Sequence, residues 1–159
     1  MARVQIVVFE IDGTEFGIEA SVVNGIIRTN KVHLQIVPGT LGNIEGMISW
    51  RDKVRYVFNL HNMLKLANKA LHDDSKIIMV HANELMVGCL VDEVTDIVLF
   101  NSEELEPAPP FIQESESKFI TGIGKVEDRL IIMLDIAKLL TGAEIDGLAL
   151  ENLQSYVHT

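Results

Sequence analysis

The residues whose types could do chemistry are few, and their spacing fails each test in turn. Thr121-Gly-Ile-Gly-Lys125 has the glycines and lysine of a phosphate-binding loop. Such a loop needs a glycine where Phe119 stands and a Ser or Thr where Val126 stands. A bulky residue there blocks the backbone approach to phosphate, and valine cannot reach magnesium. Gly39, Gly42 and Gly46 lack dinucleotide-binding spacing. His33, His61, His72, His81 and His158 show no i, i+3 or i, i+4 pairing, and none adjoins Cys89. That pattern fits scattered surface or turn histidines and predicts no metal. Glu103, Glu104 and Glu106 precede Pro107–Pro110 and read as a solvated loop, without an apolar pocket to raise a pKa. No serine has the flanking glycines of a nucleophile elbow. Cys89 lies in an apolar, strand-like run, which predicts a buried, inert thiol. The expectation is a chain with no catalytic residue, no cofactor and no metal.

The elements around these residues repeat. Residues 46–64 and 122–140 carry one pattern 76 positions apart without a gap. Each copy is a glycine, a short strand, an acidic turn (Asp52, Asp128), a basic residue (Lys53, Arg129), an apolar strand and a helical turn ending in leucine. Phe16-Gly17-Ile18 matches Val87-Gly88-Cys89, and Val23…Ile26-Ile27 matches Val94…Ile97-Val98, at an offset of 71. Val4–Ile11 alternates as a strand, and Asp12-Gly13 is a hairpin turn signal. Further strands are expected at 15–19, 26–28, 76–81 and 85–91, with loops over 29–43 and 101–110 and a linker over 68–75. Residues 144–157 read as a C-terminal helix from the spacing of Leu148, Leu150, Leu153 and Val157. If Arg51-Asp52 and Glu127-Asp128 are two-residue hairpin loops, Asp52 and Asp128 should both have φ > 0.

Composition narrows the function. The 159 residues carry a formal charge of −10 and no Lys/Arg cluster, which argues against nucleic acid and anionic lipid. No apolar run approaches the ~18 residues of a membrane span, and the start of the chain has no signal-peptide pattern. One cysteine excludes an intrachain disulfide. A cytoplasmic setting without direct membrane insertion fits these features. Halves of this size would be marginal alone, so they should pack on one another. The short strands and tight turns suggest a small barrel in each half.

Nearly the whole chain, about residues 4–142, resembles the CheW family of bacterial chemotaxis coupling proteins. The resemblance is carried by Val87-Gly-Cys-Leu-Val-Asp-Glu-Val-Thr-Asp-Ile-Val98, by Glu104–Pro110 and by Phe119–Lys125 followed by Arg129–Leu140. Phe16–Ile18 and Val23–Arg28 match less tightly. It implies a mainly β fold of two packed five-stranded SH3-like barrels, as one domain over 1–159. The approximate halves are 12–70 and 76–142, with strand 4–11 shared with the second barrel. It implies no catalysis. It implies an adaptor that bridges the cytoplasmic tip of methyl-accepting chemoreceptors to the regulatory domain of the histidine kinase CheA, in arrays beneath the membrane. The family's Asn-Leu-Arg-Gly hairpin is Ser49-Trp50-Arg51-Asp52 here, a proline is Tyr56, an aspartate Asn59 and a glutamate Gly25. Competing readings are the same scaffold in a non-motility kinase pathway, and a small-ligand or catalytic double barrel. The last requires a polar pocket with converging ionisable groups.

A bridge needs two rigid, separate surfaces. The seam between the halves would give an apolar groove for a helical receptor tip. Val23, Ile26 and Ile27 are the candidates for it, with Arg51 supplying charge at its rim. Trp50, the only tryptophan, shares a strand face with Ile48. It either anchors a partner or caps the open end of its own barrel.

Overall fold

The computed structural model describes residues 3–37, 43–66, 74–113 and 118–142. The strands are β1 (Arg3–Ile11), β2 (Thr14–Glu19), β3 (Val23–Arg28), β4 (Ile44–Trp50), β5 (Lys53–Asn59), β6 (Lys76–Ala82), β7 (Leu85–Val91), β8 (Glu93–Asn101), β9 (Leu105–Pro107), β10 (Ile120–Val126) and β11 (Arg129–Leu134). Short helices are α1 (Leu60–Met63), α2 (Pro110–Gln113) and α3 (Ile136–Gly142). The helix expected over 144–157 lies outside the described residues, as does most of the expected linker.

Two sheets form, in the orders β8-β1-β2-β11-β10-β9 and β3-β6-β7-β5-β4. The first has six strands where five were expected, because part of the acidic, proline-rich segment pairs. Leu105–Pro107 runs antiparallel to β10. Pro107 is tolerated because β9 is an edge strand, where a missing N–H interrupts no ladder. Gly122 permits the approach: a Cβ there would sit 2.5 Å from the Glu106 carbonyl oxygen. Gly46, its counterpart in the other copy, meets the Gln35 carbonyl oxygen in the same way. There the contact is a single bridge, Gln35 to Met47, inside the segment expected to be loop.

The sheets do not divide the chain into the halves 12–70 and 76–142. The hairpin β1–β2 joins β8–β11, while β6–β7 joins β3–β5. At the offset of 71, β1 corresponds to β6, β2 to β7 and β3 to β8. Each half therefore lends its first hairpin to the strands of the other. The closing pairs also correspond: β5 runs parallel to β7, and β11 parallel to β2. Hydrophobic alternation specifies that a strand forms and which face is apolar. It does not specify the neighbour, so an exchange of equivalent hairpins is invisible to it.

Three apolar clusters result. Ile6, Val8, Phe100, Ile131 and Met133 fill the sheet containing β1. Ile48, Val57, Ile77, Met79 and Leu90 fill the sheet containing β3. The largest lies between the sheets, where Val7, Phe9, Ile11, Phe16 and Ile18 meet Phe58, Ile78, Val80, Val87 and Cys89. Phe9 and Phe16 stack there with centroids 5.9 Å apart. At ~0.8 kcal/mol per buried methylene, this shared core is a main reason for the halves to stay together.

Candidate partner-binding surfaces

The seam is a packed core, bordered at the edge strand β3 by partly exposed apolar residues that mark its mouth. Ile26 pairs with Ile78, and Val23 with Val80; both partners belong to the seam core. Ile26 is 43% exposed, and Val23 packs against the core's edge. Ile27 pairs with Ile77 and packs into the interior of its own sheet, not the seam. The register change between Val23 and Gly25 is what puts Val23 and Ile26 on one face.

The sequence reading missed the other wall. Ile97 corresponds to Ile26 at the offset of 71 and is 55% exposed. It pairs with Val7 of the seam core, and Leu99, two residues on, shares its face and is also exposed. β3 and β8 are both edge strands. Lys76, paired with Arg28 at the end of β3, bonds Glu93 at the start of β8 at 2.9 Å. Lys76 first, then the backbone of Val94 and the charge of Arg28, hold the Glu93 carboxyl below its ordinary range. An apolar pair of edge strands thus flanks the seam's mouth, with a charged clasp at one end. The signal was present in the repeat, because the position equivalent to a groove candidate is also an isoleucine.

Trp50 packs against its own barrel. It packs with Ile48 on the interior cluster, and its Cζ2 lies 3.1 Å from where a Cβ on Gly25 would be. The Arg51 guanidinium stacks 4.1 Å from the Trp50 ring centroid, and its Nη2 donates to the Asn24 carbonyl at 3.4 Å. Arg51 and Asp52 have φ of 50° and 63°, both positive as a type I′ turn requires. In the second copy Glu127 has φ 56° while Asp128 is not in the left-handed region. Asp52 matches the expectation and Asp128 does not: only the first central position of that loop is left-handed, as in type II′.

One histidine is neither at the surface nor isolated. His61, 2% exposed, brings Nε2 to 3.0 Å from Asp92 Oδ1. The contact has ion-pair distance without hydrogen-bond alignment, and Nδ1 meets no partner among the described residues. Asp92 Oδ2 accepts from the Asp12 backbone N–H at 2.8 Å, so the acid ties α1 to the β1–β2 turn. Asn59 caps α1 by accepting from the N–H of His61 at 2.9 Å, and its Nδ2 donates to Glu45 at 2.8 Å. Spacing could not reveal this group, because its members come from three separate turns.

The remaining candidates for chemistry sit in packed positions. A Cβ on Gly124 would meet Phe100 at 2.9 Å, so Gly122 and Gly124 serve close packing and form no phosphate cradle. Burial pushes the Cys89 thiol up to about 12, which keeps it protonated and inert. Among the described residues no three His, Cys, Asp or Glu side chains gather as metal ligands. No helix among them is long and apolar enough to cross a membrane.

Comparison with known proteins agrees with this architecture. The profile of the CheW-like domain matches residues 5–144. The chain is 31% identical over 136 residues to the chemotaxis protein CheW of Bacillus subtilis, covering 86% of each chain. It is 27% identical over 139 residues to that of Thermotoga maritima, covering 86% of this chain and 87% of the relative. The crystal structure of the scaffolding protein TtCheW from Thermoanaerobacter tengcongensis superposes with a TM-score of 0.79 at 27% identity, over 87% of this chain and 93% of that one.

Proposed function

The chain belongs to the family of CheW-like domains, and from that premise we propose how this chemotaxis scaffold engages its partners. The mouth of the seam takes the helical cytoplasmic tip of a chemoreceptor, and a separate surface takes the regulatory domain of a CheA-type histidine kinase. The protein performs no catalysis itself and works in the cytoplasm beneath receptor arrays. The observation that carries the reading is that Ile26 and Ile97, equivalent positions exposed on two edge strands, each pair with a residue of the one buried core. An amphipathic helix lays an apolar stripe into such a trough, and the barrels keep the walls rigid. Val23 and Leu99 extend the stripe; Ile27 is left out.

The test is a binding titration of the full chain with a purified receptor cytoplasmic fragment and with a kinase regulatory domain. Ile26→Asp and Ile97→Asp should each weaken receptor binding by about 2 kcal/mol, with kinase binding and melting temperature unchanged. Binding of the wild-type chain to neither partner would remove the proposal.

A further inference from the structure

One barrel end holds a cation that pairs with no carboxylate among the described residues. Arg55 lies on β5 opposite Ile48 and on the same face as Val57, both of which belong to the interior of that sheet. Its Nε is buried and meets no acceptor among the described residues. Arg51 and Lys53 stand beside it at the hairpin end, and Val54 between them is 44% exposed. No carboxylate among the described residues pairs with Arg51, Lys53 or Arg55. Arg51 has only the Trp50 ring and one carbonyl.

The other barrel matches its charge internally. Arg129, on the equivalent hairpin, bonds Glu15 at 2.6 and 3.0 Å and reaches Asp96 at 3.4 Å. The chain has 23 acidic residues against 13 basic ones, so a hairpin with Arg51, Lys53 and Arg55 against the single carboxylate of Asp52 is a local exception to the overall charge. A guanidinium fork with a buried, unmet N–H is complementary to a carboxylate, which it can hold through two parallel bonds.

We propose that the β4–β5 end of the β3–β7 barrel, with Arg55 beside Trp50, is a docking site for an Asp or Glu side chain of a partner protein. That the partner is the kinase regulatory domain rests on the adaptor reading; that the ligand is a carboxylate does not. The site is centred on the β4–β5 hairpin end of one barrel and reaches β3 only through Arg51 and Trp50.

The experiment uses the ¹⁵N-labelled full chain and follows the Arg55 Nε–H signal and the fluorescence of the single tryptophan. A hexaglutamate peptide should shift both, hexaglutamine should shift neither, and about 0.5 M salt should suppress the response, because charge screening is short-ranged there. Arg55→Met should lose the fluorescence response while melting no lower than wild type, since an apolar side chain suits that interior position. The same variant should weaken the complex with the regulatory domain by on the order of 30-fold or more. An Arg55 signal unmoved by hexaglutamate, or moved equally by hexaglutamine, overturns the site. A hexaglutamate response without any regulatory-domain complex keeps the site and rejects the kinase as its partner.

Discussion

Trp50 occupies the space that a side chain at position 25 would need: its Cζ2 sits 3.1 Å from the ideal Cβ of Gly25. The resemblance to the CheW family implies a leucine and a glutamate at these two positions. Glycine at position 25 leaves room for the indole at position 50. Gly25 has an ordinary negative φ, so its value lies in space and not in backbone freedom. Gly25→Ala should therefore displace the indole and lower stability, and should cost little once Trp50 is already alanine. Trp50→Ala alone should lower stability by about 2–3 kcal/mol, and the pair should be non-additive by about 1 kcal/mol in a double-mutant cycle. Denaturant titrations of the three variants measure this. An unchanged melting temperature for Trp50→Ala, with partner affinity down by about 2 kcal/mol, would instead make Trp50 an interface anchor.

The two hairpin loops invite opposite substitutions. Asp52 has φ 63°, a conformation that costs a non-glycine residue about 1 kcal/mol. Asp52→Gly should recover much of that, visible as a higher denaturation midpoint at unchanged slope. Asp128 is outside the left-handed region, so Asp128→Gly should bring no gain and adds flexibility to the unfolded chain. In that loop the gain belongs to Glu127→Gly.

The Arg129 cluster sets a pH dependence. Its hydrogen bonds hold the Glu15 carboxyl below the ordinary value of 4.5, against the opposing effect of burial. A carboxyl depressed in the folded state stabilises above its unfolded pKa and loses that contribution as pH falls through the folded value. Glu15→Gln should thus cost about 1 kcal/mol or less at neutral pH, because Arg129 is partly exposed. The difference from wild type should shrink steadily below pH ~4.5. Paired thermal melts from pH 7 to pH 3 read it directly, and a constant difference would remove the ion pair as its cause.

The His61 contact joins the two barrels, since Asp92 touches both His61 of α1 and the backbone of Asp12. His61→Ala should cost about 3 kcal/mol, from a cavity beside a carboxylate that loses a neighbour. Amide exchange should report the damage at the β1–β2 turn as well as at α1. Loss of protection confined to α1 would show that the contact does not couple the barrels.

Much of the fold was legible because its signals are local. β-branched alternation marked β1, β6 and β7, Asp12-Gly13 marked a hairpin, and the glycine-to-leucine unit marked both copies of the closing strands. What failed was non-local. β9 was read as loop, since a short acidic segment with a proline pairs only where a glycine on the next strand admits it. Of the site candidates, Val23 and Ile26 reach the seam and Ile27 does not, and a register shift of one position decides it. Ile97 and Leu99 were overlooked on a strand whose opposite face is core.

By itself the sequence determined that this is a duplicated β protein, because duplication, periodicity and turn chemistry are written in consecutive residues, while its likeness to the CheW family rests on particular segments such as Val87–Val98. Tertiary structure alone decided that each half lends its hairpin to the other, that two equivalent isoleucines flank one seam, and that His61 meets Asp92. It also decided that the buried Arg55 Nε meets no acceptor among the described residues. Those outcomes depend on which surfaces come to face each other. Strand periodicity constrains that choice only to apolar against apolar.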